Sequence, residues 1–160
     1  MITLEPIGHV RNVRQTTADD YWGSVVSTIV LADHLDADCL LGLESFSHAE
    51  IIYYFDQVAD DKIITGARHP RNNPDWPKVG IFAQRAKNRP NRLGLTTVSI
   101  KRLDGRTLYV EDLDAVDGTP VVDIKPVMTE FLPRGTIRQP NWSHALMRAY
   151  WLPNDQRPRE

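Results

Sequence analysis

"LTTVSIKRLDGRTLYVEDL", residues 95–113, sets the fold class. Its two halves alternate apolar and polar side chains and are rich in Val, Ile, Thr and Tyr, as half-buried strands are. Asp104-Gly105 between them is a two-residue hairpin signal, because a type I′ turn needs positive φ at both central residues. Outward from this hairpin the same texture recurs at residues 24–31 ("SVVSTIVL"), 48–58 ("HAEIIYYFDQV"), 79–84 ("VGIFAQ") and 120–127 ("PVVDIKPV"), and more weakly at 2–10. About seven short strands with turn punctuation predict an all-β fold, a barrel or a sandwich. Helical spacing is confined to two short stretches. "HLDADCLLGLES" (34–45) reads as a helix ending near Gly42, and "NWSHALMRAYW" (141–151) as a helix capped by Asn141 after Pro140. The aromatic face of the second is expected to pack on the barrel or on a second subunit. No repeat or linker divides the chain, so residues 1–160 read as one domain.

The 160 residues are 41% hydrophobic and 25% charged, a globular composition that excludes a disordered chain. The single cysteine, Cys39, excludes an internal disulfide and a multi-cysteine zinc site, and suits a reducing compartment. The longest uncharged stretch, residues 21–32, is well short of the ~20 apolar residues of a membrane span. The opening "MITLEPIG" has neither the basic nor the apolar region of a signal peptide, so a soluble cytoplasmic protein is expected. The net charge of −2 conceals a polar split: residues 62–106 hold eleven Lys/Arg against two acids, while residues 33–61 hold eight acids and no Lys or Arg. Such blocks either pair with one another or leave an anion-binding face.

No P-loop, dinucleotide-binding glycine string, serine elbow or metal-spaced histidine pair is present, and no metal site is expected. Three segments are unusual. "GLESFSH" (42–48) runs into the aromatic strand. "GIFAQRAKNRPNRLGL" (80–95) crowds Arg85, Lys87, Arg89 and Arg92 around Pro90. "DLDAVDGTPVVDIKP" (112–126) gathers Asp112, Asp114, Asp117 and Asp123 near Lys125. Guanidinium forks suit carboxylate or phosphate, and carboxylates suit amines or cationic ligands. Together they outline a pocket for a zwitterionic ligand, unless the acids only cap turns and the arginines only pair with them.

In that order, and with "IGHVRN" at residues 7–12, these strings resemble the TsaA-like family, which includes the bacterial enzyme that methylates threonylcarbamoyl-adenosine in tRNA. The likeness spans residues 7–127. It implies an S-adenosylmethionine-dependent methyltransferase on a small β-barrel, a homodimer with the cofactor near the subunit interface. Arg85 matches the arginine of the family's F-A-[TS]-R string. Arg89, Pro90 and Asn91 match its R-P-N, and Asp114 to Pro126 its L-D-x-x-D-G-T-P…D-I-K-P run. By that likeness Asp56, Gln57, Arg85, Leu95, Glu111, Asp112, Leu113 and Asp114 line the cofactor site. Arg89, Asn91, Asp123 and Lys125 face the acceptor, and Asp114 or Asp117 is the candidate to take the acceptor's proton.

The chain also departs from the family pattern. Gln84 stands where a small hydroxyl residue is usual, Arg92 replaces a second proline, and Val127 replaces a tyrosine. The family's P-R-Q string has no clear counterpart near residues 16–24, and the tRNA enzyme's additional C-terminal domain is not represented. These departures predict that cofactor binding is kept while the acceptor shifts from tRNA toward a smaller molecule. The alternative is an RNA-binding or ligand-sensing barrel without transfer activity.

Overall fold

The computed structural model describes residues 1–159. Six antiparallel strands close into a barrel: β1 (Gly8–Arg11), β2 (Val26–Leu31), β3 (His48–Tyr54), β6 (Leu93–Asp104), β7 (Thr107–Glu111) and β8 (Pro120–Pro126), in the order β1-β2-β7-β6-β3-β8. The all-β expectation therefore resolves to a barrel. Closure leaves no unpaired sheet edge, which suits strands this short. The inward row is the expected period-two set, with Val10, Ile29, Ile51, Val98, Leu108, Val110 and Val121 all essentially inaccessible.

Toward one end the inward positions change character. On β3 the row runs Ala49, Ile51, Tyr53, and on β6 it runs Val98, Thr96, Gly94. Hydroxyls and a glycine thus replace methyl groups at this mouth. Tyr53 lies opposite Gly94 in the register, and a Cβ on Gly94 would stand 2.3 Å from the Tyr53 ring. Only glycine lets the ring lie flat there.

Three local expectations are corrected. Residues 79–84 are not a barrel strand: only β5 (Val79–Gly80) is extended, paired with β4 (Ala67–Arg68), and a 3₁₀ turn follows at Ile81–Ala83. The buried Gln84 side chain holds this excursion, donating to the carbonyls of Arg68 (3.2 Å) and Val79 (3.1 Å). Residues 34–45 form two 3₁₀ turns broken at Gly42, whose φ of +89° stops propagation. The β6–β7 hairpin pairs Asp104 with Thr107, so its central residues are Gly105 and Arg106. Positive φ falls only on Gly105 (+56°), the first centre, as a type II′ turn requires.

The C-terminal helix α1 spans only Asn141–Leu146, with Pro140 rather than Asn141 at the cap position and no side-chain cap, and turns continue to Trp151. This segment docks on its own barrel. The amides of Trp22 and Gly23 donate to Tyr150 and Leu152 carbonyls (2.8 and 3.1 Å), and Asn154 N–H donates to Gly23 (2.9 Å). Gly23 is required by the approach, since a Cβ would sit 2.2 Å from the Trp151 carbonyl oxygen. The buried Arg14 guanidinium lies 3.9 Å over Trp22 and donates to the Tyr21 carbonyl (2.7 Å) and Asn154 Oδ1 (3.0 Å). Among the described residues no helix is long and apolar enough to cross a membrane.

Candidate functional site

A cavity of about 1550 Å³ opens at the polar mouth. Small-ligand sites are usually roughly 300–1,000 Å³, so there is room here for a nucleoside-sized ligand and part of a second molecule. Its walls come from the ends of β3 and β6, the loop after β7, the 80–92 loop and the C-terminal segment.

Asp114 is the hub. Its Oδ1 accepts from Tyr53 Oη at 2.9 Å and from the Thr96 hydroxyl, and its Oδ2 accepts from the Tyr150 hydroxyl. Asp114 is a candidate from the sequence; Tyr53 and Thr96 are not, although their inward placement follows from strand alternation. Tyr150 belongs to the aromatic face of residues 141–151, which was expected only to pack. The signal for the cluster was hydroxyl-bearing residues on inward positions that should have been apolar.

Burial, with the Asp114 charge second, pushes the Tyr53 hydroxyl well above its ordinary range, and Tyr150 is raised for the same two reasons. Both phenols are therefore donors at neutral pH. Tyrosine pKa values raised in the folded state leave stability unchanged below about pH 10 and erode it above, because the unfolded phenols lose protons first. Denaturant titrations at pH 9, 10 and 11 are expected to be flat to about 10 and then to fall by up to about 1.4 kcal/mol per pH unit for each such tyrosine. The Tyr150→Phe protein should lose part of that slope, and an equal slope would refute the assignment.

Of the residues expected around the cofactor, Asp56, Gln57, Arg85, Leu95, Asp112 and Asp114 line this one cavity. Glu111 and Leu113 do not: Glu111 pairs with Lys101 Nζ at 2.9 Å, and Leu113 is core. Asp112 (φ +68°) lines the wall while accepting the Ser24 N–H at 2.7 Å. Arg89 and Asn91, expected to face the acceptor, line the same cavity. Asp123 and Lys125 do not, and pair with each other at 2.8 Å on β8. Asp117 also lies outside, its Oδ1 accepting the Asn12 N–H at 3.1 Å, which ties the loop after β7 to the residue following β1.

The two charge blocks neutralise each other only in part. Arg92 pairs with Asp60 and Lys62 with Asp61, while Arg71 is held by Asp20 at 2.7 Å. Arg92 has φ +51°, which a proline, locked near −65°, cannot adopt, so this loop differs locally from the R-P-N-P pattern. Arg68, Arg85, Lys87 and Arg89 line the cavity with no acidic partner at ion-pair distance among the described residues. The buried Arg68 Nε also has no hydrogen-bond acceptor among the described residues. Among the described residues Arg85 and Arg89 donate only to backbone, at Leu95 and Gln84.

Fold and site together define a closed antiparallel β-barrel with a mixed-charge ligand cavity at one mouth. Residues 14–131 match the family described as tRNA-methyltransferase O N-terminal domain, and the chain belongs to that family. The Escherichia coli K12 protein named tRNA (adenine(37)-N6)-methyltransferase is 39% identical over 103 residues, 62% of this chain and 43% of that one. A Pyrococcus abyssi protein described as a "probable S-adenosyl-L-methionine-binding protein" is 31% identical over 147 residues, 86% of this chain and 74% of that one. A crystal structure of TrmO superposes with a TM-score of 0.72 at 26% identity, covering 87% of this chain and 63% of that one. The chain spans 21% to 56% of the length of several other curated relatives.

Proposed function

We propose that this chain binds S-adenosylmethionine in the mouth cavity and transfers its methyl group to an adenine amine of tRNA. The observation that carries the reading is one cavity holding both a carboxylate that accepts from three hydroxyls and a rim of cations without acidic partners among the described residues. The donor set fits the cofactor: Asp56 and Asp114 for its cationic groups, Arg85 for its carboxylate, and Phe55 and Leu95 as apolar surface for its purine. Bound there, it supplies a methyl already electrophilic on a sulfonium, so the acceptor needs placement more than activation.

The residues of the chain then bind and orient. A carboxylate offers about four acceptor sites. Three on Asp114 are taken by hydroxyls, so Asp114 serves as a fixed negative charge and not as a strong base. Tyr53 and Tyr150 keep their protons and hold that charge in place. Arg68, Lys87 and Arg89 remain to grip acceptor phosphates. These cations, and relatives named for tRNA adenine, favour tRNA over the smaller acceptor.

Radiolabelled methyl transfer to tRNA that carries threonylcarbamoyl-adenosine but not its methyl group, at low and physiological salt, tests this. Transfer with a steep salt dependence is expected, as binding through several phosphates requires. Transfer only to a free nucleoside would favour the smaller acceptor, and RNA binding without transfer would favour the regulatory barrel.

A second copy is proposed to cover the arm between β8 and α1. Of the apolar exposure expected at Trp142, Tyr150 and Trp151 of the C-terminal segment, only that of Trp151 (43% exposed) is present, the other two being half-buried. Phe131 (84% exposed) and Ile137 (69%) add to it. Light scattering is expected to give twice the chain mass at tens of micromolar, and a Phe131→Asp, Ile137→Asp protein half of it. A monomeric wild-type chain would end this proposal.

A further inference from the structure

We infer that Tyr150 is a positioning residue of the cavity, fixing Asp114 from a segment that lies beyond the family match. The inference rests on the reading that the cavity holds S-adenosylmethionine. On the barrel side both donors, Tyr53 and Thr96, converge on Oδ1 of Asp114. Oδ2 takes its hydrogen bond from Tyr150 alone among the described residues. A carboxylate anchored at one oxygen still swings about that anchor; a donor on the second oxygen removes the swing. The family match ends at residue 131, so the barrel by itself does not provide this second donor.

Tyr150 is in turn held by its segment. Its carbonyl accepts the Trp22 N–H at 2.8 Å, and four residues on, Asn154 is fastened by Arg14 at 3.0 Å. Trp142, Met147 and Trp151 of the same segment line the cavity beside it. Docking of the segment, the direction of the Tyr150 hydroxyl and the orientation of Asp114 are therefore one connected arrangement. Reciprocity of coupled equilibria requires that a ligand gripped by Asp114 also tighten the segment on the barrel.

Full-length Tyr150→Phe keeps the ring and removes only the hydroxyl. Calorimetric titration with S-adenosylmethionine should show it binding about tenfold more weakly than wild type, the scale of one hydrogen bond to a charged group. Asn154→Ala loosens the segment at a point outside the cavity and should weaken binding by roughly two- to fivefold. Hydrogen exchange supplies a readout that simple packing would not move. In the wild-type chain the ligand should slow exchange at the amides of Trp22, Gly23 and Asn154, and in Tyr150→Phe this protection should be lost. Equal affinity and equal ligand protection in wild type and Tyr150→Phe would overturn the positioning role while leaving the ligand reading intact. No binding by the wild-type chain would overturn both.

Discussion

Asp114→Ala is expected to lower the stability of the chain by about 3 kcal/mol and to abolish measurable binding of S-adenosylmethionine. The substitution removes the acceptor of three hydroxyls at once. Tyr53 is only 2% exposed and cannot turn to water. It retains weak alternatives, the Thr96 hydroxyl at 3.4 Å and the residue-114 carbonyl at 3.3 Å, so the loss falls short of three full desolvation penalties. In a domain of this size the expected fall in Tm is about 6–12 °C. Asp114→Asn keeps one acceptor oxygen and should cost about half as much, while still losing the charge that faces the ligand. Calorimetric melting with and without ligand checks both parts. A melting temperature unchanged by Asp114→Ala would show that the three hydroxyl contacts contribute nothing.

Gly94→Ala should be comparably severe, although it adds one methyl group. The new Cβ would lie 2.3–2.4 Å from two Tyr53 ring atoms. The ring cannot retreat, because it is packed in the core, makes an edge contact with Phe55 at 5.4 Å, and is anchored to Asp114 at its hydroxyl. Overpacking of this kind costs about 1–3 kcal/mol. Displacing Tyr53 would also pull a donor from Asp114, so ligand affinity should fall with stability. Gly66→Ala is the matched control, since a Cβ there meets no atom within 4 Å. Chemical denaturation of the two variants should separate them by about 2 kcal/mol or more. Equal midpoints would mean that the strand pair accommodates the methyl group.

Much of the barrel was legible because strand alternation and burial carry the same information. Ile29, Ile51, Val98 and Val110 announce their direction by period alone, whereas the excursion at residues 79–84 does not. "VGIFAQ" is apolar enough for a strand, and its 3₁₀ turn depends on Gln84 reaching two carbonyls, one of them sixteen residues back. The hairpin was found one residue out of register, because Asp104-Gly105 and Gly105-Arg106 both place glycine at a turn centre. In the site, Arg85, Arg89 and Asp114 were visible as residue types suited to charged ligands, and Asn91 only through the family resemblance. Asp117, Asp123 and Lys125 looked equivalent along the chain, yet the barrel sends them to a turn and to the β8 surface. The Tyr150–Asp114 contact was hidden by 36 residues of separation and by a segment whose register depends on Gly23.

A crystal of the full chain soaked with S-adenosylmethionine tests the central claim most directly. Ligand density is expected in the mouth cavity between Asp114 and Arg85, with the Tyr53 and Tyr150 hydroxyls still on the Asp114 carboxylate. Density at any other surface, or an empty cavity at saturating ligand with Asp114 accessible, would contradict it.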